Sequence, residues 1–116
     1  AAAGNEQSNA LSYPAAYSGV VSVAAIDATG TQAWFSNSGQ GLTLAAPGVG
    51  IVSAYNANKL VIGSGTSQAA AITSGVAAYL AGRGYQPSNI PMVLIRSARP
   101  TGAAQTAVGA GILRIP

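Results

Sequence analysis

Ser67 stands in the run Gly63-Ser64-Gly65-Thr66-Ser67-Gln68-Ala69-Ala70-Ala71, within a 116-residue chain that has no histidine and no cysteine. Small residues before the serine and alanines after it suit a hydroxyl set at the start of a buried helix. There, unpaired backbone amides and the positive end of the helix dipole favour a developing negative charge. That is the chemistry of attack on a carbonyl, with the resulting oxyanion held nearby. A serine hydroxyl is a poor nucleophile until a neighbouring base takes its proton, and nothing in this chain is suited to be that base. Two readings therefore stay open from the residues alone. Either Ser67 is only a helix cap, or its base comes from another polypeptide. Asn5, closing the run Ala1-Ala2-Ala3-Gly4, is a neutral amide donor. Aimed at an oxyanion it would contribute about 3 kcal/mol; taken alone it equally suits a turn. Glu6 reads as a solvated carboxylate in an open loop, and Asp27 as a structural turn residue.

The elements that must position these groups are short. Ala1–Gly4 reads as a strand end turning into a loop. The β-branched run 20–26 reads as a buried strand, as do residues 42–46 and 51–55. Asn56–Lys59 reads as a hairpin-like turn. Residues 60–82 carry no charge but are too polar for a lipid-facing span, which favours a helix buried in protein. That helix is expected over Ser67–Ala81, capped by the hydroxyl of Thr66 or Ser67, packed nearly all round and ended by Gly82-Arg83-Gly84. A second helix is expected from Asn89 to Ser97, opened by Ser88. Arg99–Gly111 reads as loop, followed by a last strand over Ile112–Ile115. Tyr13-Pro14, an aromatic before proline, favours a cis bond.

Composition narrows the function classes. Charged residues make up 6% of the chain, against about 25% in an average globular protein. A free-standing domain this small is mostly surface and is usually kept soluble by charge. Much of this chain's outside is therefore expected to be covered by a partner. The net charge of +3 comes from arginines spread along the C-terminal half, with no basic run, so neither nucleic acid nor membrane is an expected partner. Without cysteine there are no disulfides or thiolate metal sites. A few short strands with two late helices amount to about half of a three-layer α/β domain, and a chain opening inside an element is expected to be part of something longer.

Five segments, in order and with compatible gaps, resemble the C-terminal half of the catalytic domain of subtilisin-like serine proteases. They are Ala1-Ala2-Ala3-Gly4-Asn5-Glu6; Ser12-Tyr13-Pro14-Ala15-Ala16-Tyr17 with Val20-Val21-Ser22-Val23-Ala24-Ala25; Phe35-Ser36-Asn37-Ser38-Gly39 with Ala45-Ala46-Pro47-Gly48; Gly65-Thr66-Ser67-Gln68-Ala69-Ala70 through Gly75; and Gly109-Ala110-Gly111. The resemblance implies an α/β fold with a mostly parallel twisted sheet between helix layers. Residues 1–116 would be the C-terminal portion of one such peptidase domain, completed by an N-terminal partner chain that brings the histidine and aspartate. It implies an endopeptidase acting on polypeptides through an acyl-enzyme, and a secreted or extracytoplasmic protein. Ser67 would be the nucleophile and Asn5 the oxyanion donor, with Thr66 as a buttress. Ala2, Ala3 and Gly4 would wall the pocket for the residue before the scissile bond, and the Ala3 and Gly4 backbone would pair with extended substrate. Ser12 would lie near the pocket base. With no acid there, large apolar or aromatic side chains are expected.

The chain departs from the family pattern in three places near the nucleophile. Gln68 replaces the usual methionine, Ala71 the usual proline, and Ile72 the usual non-catalytic histidine. These departures keep a second possibility in view, a pseudoprotease that binds or regulates. A related class pairing serine with glutamate and aspartate has an acidic oxyanion residue, which Asn5 argues against. No cofactor is expected in this chain. Calcium in the assembled protein is possible, but Thr43 stands where some members have an acidic cation ligand, which weakens any site near Ala15, Tyr17 and Val20.

Overall fold

Alternation of small and branched apolar residues over 23–26 and 44–47 gives two short strands buried on both faces, and they form the centre of the molecule. The computed structural model describes all of residues 1–116. In chain order the elements are β1 (Val23–Ile26), β2 (Leu44–Pro47), β3 (Ile51–Tyr55), β4 (Lys59–Gly63), α1 (Thr66–Gly82), a single 3₁₀ turn (Pro87–Asn89), α2 (Ile90–Ser97) and α3 (Gln105–Val108). β1 and β2 are parallel, with Val23 opposite Leu44 and Ile26 opposite Pro47. Two flanking segments extend the sheet as parallel bridges, Ala2 beside Val23 and Ile112 beside Ala45. Ala3 N donates to Val23 O at 2.9 Å and Leu113 N to Ala45 O at 2.8 Å.

Successive residues of the two strands point into different cores. Val23, Ala25, Leu44 and Ala46 pack with Ala69, Val76 and Leu80 of α1 and with Ile90 and Leu94 of α2. Ala24, Ile26 and Ala45 pack on the other side with Ala3, Leu42, Val108 and Ile112. This is the two-sided burial that parallel strands require. Leu44, Leu80 and Leu94 are fully enclosed, and each contributes about 1.5–3 kcal/mol through removal of its side chain from water.

Several expectations are corrected. The strand expected over 20–26 begins only at Val23, because Ser22 is tied crosswise to Thr43: Ser22 N donates to Thr43 Oγ1 at 3.0 Å and Thr43 N to Ser22 Oγ at 2.9 Å. Residues 60–63, read with the following helix, instead form with Lys59 a strand paired antiparallel to β3. Its Val61 and Ile62 favour extended backbone. The hairpin closes on Ala57 (φ 53°) and Asn58 (φ 57°), the two positive dihedrals of a type I′ turn. Helix α1 buries one stripe, Thr66, Ala69, Thr73, Val76 and Leu80, rather than its whole circumference; Ala71, Ser74, Ala78 and Tyr79 are exposed. Its N-cap is Gly65, with no side-chain cap, so neither Thr66 nor Ser67 caps it. The segment 99–111 contains α3, and the expected last strand reduces to the pairing of Ile112. Tyr13-Pro14 is cis. No helix is long and apolar enough to cross a membrane.

Candidate active site

The first turn of α1 receives its missing hydrogen-bond partner from a distant part of the chain. Thr66 N donates to Asn5 Oδ1 at 2.8 Å, and Thr66 Oγ1 donates to the same oxygen at 2.8 Å. The direction is fixed chemically. A backbone N–H can only donate, so Asn5 must present its oxygen. Thr66 Oγ1 also accepts from Gly4 N at 3.1 Å, which leaves its own proton for Asn5. The Asn5 amide nitrogen is thereby turned away from Thr66 and makes no hydrogen bond within the chain. Ser67 N likewise donates to no protein group.

These two free donors face one volume. A methyl group placed on Gly65 would sit 3.6 Å from Asn5 Nδ2 and 3.7 Å from Ser67 N, so the absent side chain leaves that space open. Ser67 and Asn5 are both exposed. Beside them, the Gln68 carboxamide lies across Gly63 and Gly65; a methyl on either glycine would meet it at 2.8 Å. Gly65 N donates to Gly48 O at 2.7 Å. A methyl on Gly48 would lie 2.7 Å from Gly65 O, so the end of β2 is pressed against the loop that carries the serine.

The second half of the site is built around Asn37, which is only 1% exposed. Its Nδ2 donates to Ala3 O at 3.2 Å, to Glu6 Oε2 at 2.7 Å and to Ser12 Oγ at 3.2 Å. Its Oδ1 accepts from Glu6 N at 3.0 Å and Ser8 N at 2.9 Å. One buried carboxamide thus fixes the loop running from Ala3 to Ser12. Gly4, with φ 113°, passes so close that a methyl there would fall 2.2 Å from Asn37 Nδ2 and 2.4 Å from Ser12 Oγ.

This arrangement corrects three expectations. Glu6 is not merely solvated: it accepts from Asn37 and, at 3.3 Å, from Ser12 Oγ. The Asn37 amide, with help from the amides of Glu6 and Asn5 and from Ser12, holds the Glu6 carboxyl below the usual carboxylate range against a smaller opposing desolvation. Ser12, the residue expected near a pocket base, therefore has an acid beside it, contrary to the expectation of none. Nor can Ala3 and Gly4 pair with an extended substrate through their amides. Ala3 N is bonded to Val23 O and Gly4 N to Thr66 Oγ1. Asp27 is the turn residue expected. Its Oδ1 accepts from Thr29 N at 2.8 Å, Thr29 Oγ1 at 2.6 Å and Thr31 N at 3.1 Å, and the Thr29 hydroxyl is the leading cause of its lowered pKa. Thr43 turns its hydroxyl to Ser22.

Sequence reasoning brought Ser67, Asn5 and Thr66 to one place, and Gly4 and Ser12 to another a few residues away. It missed Asn37. A single asparagine after an aromatic–serine pair has no local pattern that marks it as the hub of a loop thirty residues upstream.

Comparison with known proteins agrees over nearly the whole chain. Residues 1–111 match the family model described as the subtilase family, Peptidase_S8. Halolysin of Haloferax mediterranei is 40% identical across 96% of this chain, which covers 22% of halolysin. Thermitase of Thermoactinomyces vulgaris is 42% identical over 78% of this chain and 32% of its own length. Among solved structures, the prenylagaramide maturation protease PagA superposes with a TM-score of 0.89 at 34% identity, over 98% of this chain and 46% of that one. The self-cleaved protease domain of PatA gives 0.86 at 36%, over 98% and 45%. The chain therefore spans between a fifth and a half of the length of these relatives. Its serine-bearing helix, parallel sheet and flanking helices are those of a subtilisin-like fold, and the chain belongs to the subtilase family.

Proposed function

We propose that this chain is the nucleophile-bearing part of a serine endopeptidase, with the remainder of the peptidase domain, on an N-terminal chain or segment, supplying histidine and aspartate. Ser67 Oγ attacks the peptide carbonyl carbon while the histidine takes its proton. The carbonyl oxygen becomes an oxyanion held by Asn5 Nδ2 and Ser67 N. Collapse of the tetrahedral intermediate breaks the C–N bond, and the histidine returns the proton to the leaving amine. Water then attacks the acyl-enzyme by the same route and releases the acid. Thr66 acts on this step through Asn5, and Ala2, Ala3, Gly4 and Ser12 shape the pocket for the residue before the scissile bond. Polypeptide is the substrate class, and extracellular relatives such as the Halolysin-like extracellular serine protease Nep of Natrialba magadii support a secreted protein.

The single observation carrying this proposal is the pair of unengaged donors, Asn5 Nδ2 and Ser67 N, facing one open volume beside an exposed serine hydroxyl. A helix cap alone would need neither. Reaction of the full-length protein with a serine-directed fluorophosphonate tests it. A covalent adduct on Ser67, absent after Ser67→Ala, is the expected result. No adduct on a folded protein that contains the histidine and aspartate would favour a pseudoprotease, for which Gln68 and Ala71 are the supporting departures.

A further inference from the structure

The arginines that are spread along the sequence are gathered by the fold. Arg96 lies in the last turn of α2. Arg99 follows three residues later, and its backbone pairs with Ile112 through Arg99 N to Ile112 O at 2.8 Å and Ile112 N to Arg99 O at 2.9 Å. Arg114 is two residues beyond Ile112. All three line a single concavity of about 380 Å³, together with Ser97, Pro100 and Ile115. Three of the five cationic residues of the chain thus border one small concavity that Ser67 does not line, with Arg99 Nη2 on its Gly30 side, 3.8 Å from where a methyl on Gly30 would sit. This corrects the picture of dispersed positive charge that the sequence suggests.

No carboxylate side chain lines the concavity. The chain has only two acidic residues, and both are engaged elsewhere, Glu6 with Asn37 and Ser12, Asp27 with Thr29 and Thr31. Neither of the chain's two side-chain carboxylates is therefore available to offset the charge of the three arginines. The backbone that carries them is nonetheless set firmly. Gly111 (φ 134°) lies so close to the Arg99 segment that a methyl on it would fall 2.3 Å from Arg99 O, and the paired hydrogen bonds hold Arg99 and Ile112 in register. Planar guanidiniums on a fixed frame match paired oxygens on phosphate or carboxylate groups. No aromatic ring lines the concavity to stack a base, as single-stranded nucleic acid would require, and its volume suits a small ion.

We propose that Arg96, Arg99 and Arg114 form a binding site for a small multivalent oxyanion of the phosphate or polycarboxylate type, separate from the serine site and independent of the function proposed for it. The test uses the full-length protein carrying Ser67→Ala to prevent self-digestion. Inorganic phosphate and citrate are titrated separately by calorimetry at pH 7, with sodium chloride holding the ionic strength constant. Saturable binding of either anion is expected, and the stronger of the two identifies the oxyanion class. Affinity should fall about tenfold for each guanidinium removed in Arg96→Gln and Arg96→Gln/Arg114→Gln. Arg83→Gln, which lies outside the concavity, should bind as before. Independently of any arginine variant, the bound anion should protect Arg96, Arg99 and Arg114 against phenylglyoxal, read by peptide mass. Binding no stronger than the chloride control, full affinity in the double variant, or protection confined to other arginines would overturn the site.

Discussion

Thr66 and Asn5, sixty-one residues apart, are joined twice, by the backbone amide and by the hydroxyl of the threonine, each 2.8 Å from the same Asn5 oxygen. The pair fixes the asparagine's orientation so that its nitrogen is free on the side where Ser67 N is also free. Removing the hydroxyl in Thr66→Val should leave one of the two bonds and loosen the amide. The expected result is a roughly tenfold fall in kcat with KM little changed, and Thr66→Ser should restore activity. Asn5→Ala should lower kcat by about 10²–10³, the size established for the oxyanion asparagine of subtilisin itself rather than one drawn from this geometry. Since Thr66 acts through Asn5, the double variant should be little worse than Asn5→Ala; full additivity in steady-state kinetics would separate the two residues.

Gly65 and Gly4 should respond in opposite ways to an added methyl. Gly65 has φ 164°, extended backbone open to any residue, so Gly65→Ala should fold. Its methyl would push aside the flexible Gln68 carboxamide, which it meets at 2.8 Å, enter the space between Asn5 Nδ2 and Ser67 N, and reduce kcat/KM. Gly4→Ala would drive a methyl to 2.2 Å from Asn37 Nδ2 at φ 113° and should cost about 2 kcal/mol or more of stability. Urea unfolding midpoints alongside peptide hydrolysis distinguish a filled site from a damaged fold.

Glu6 lies beside Ser12, so if Ser12 forms the pocket base as proposed, a basic residue before the scissile bond gains a carboxylate nearby. In a chromogenic peptide series, Glu6→Gln should lower kcat/KM for Lys relative to Phe by about two- to fivefold, the range for an exposed charge pair. An unchanged Lys-to-Phe ratio would mean that the carboxylate serves only the loop.

The same carboxylate sets a pH dependence. Its pKa is lowered by folding, chiefly through Asn37, and that of Asp27 is lowered through Thr29. A depressed folded pKa gives stability that is fully present above the unfolded value of about 4 and is lost as pH falls through the lower folded value. Thermal midpoints measured from pH 6 downward should therefore decline below about pH 4. Glu6→Gln should flatten part of that decline while leaving the neutral-pH ordering of variants intact.

The exposed flank of α1 and the apolar concavity of about 300 Å³ lined by Val21, Ala70, Ala77, Ile90 and Leu94 leave much apolar surface uncovered in this chain. The 116-residue polypeptide expressed alone should bind a hydrophobic dye and melt without cooperativity. Co-expression with the rest of its peptidase domain should abolish dye binding and sharpen the transition.

How much of this was legible in the residues depends on how local its causes are. β3 was readable end to end, and α1 to within one residue at each end, since branched runs, small-residue helices and glycine stops act within a few positions. β4 was not, although the turn at Asn56–Lys59 was legible, because Leu60–Ile62 is apolar in either conformation and continues into the charge-free stretch of the helix that follows. α3 was hidden because Gln105–Val108 has no cap and no apolar repeat; it is held from outside by Gly39 N donating to Thr106 O at 2.8 Å. At the site, Ser67 and Asn5 carried recognisable chemistry, whereas the Asn37 hub and the gathering of three arginines arise from chain crossings that no short window contains.

The bond from Gly65 N to Gly48 O closes a ring of chain whose only contents are the β3–β4 hairpin and its connections. Between them the hairpin runs outward, with residues 54–62 all exposed, and returns at Gly63 against Gln68. Such an excursion can be lengthened, shortened or exchanged without shifting the anchor beneath the serine. Within this scaffold it is therefore the natural place for new recognition loops to be grafted, by evolution or by a protein engineer.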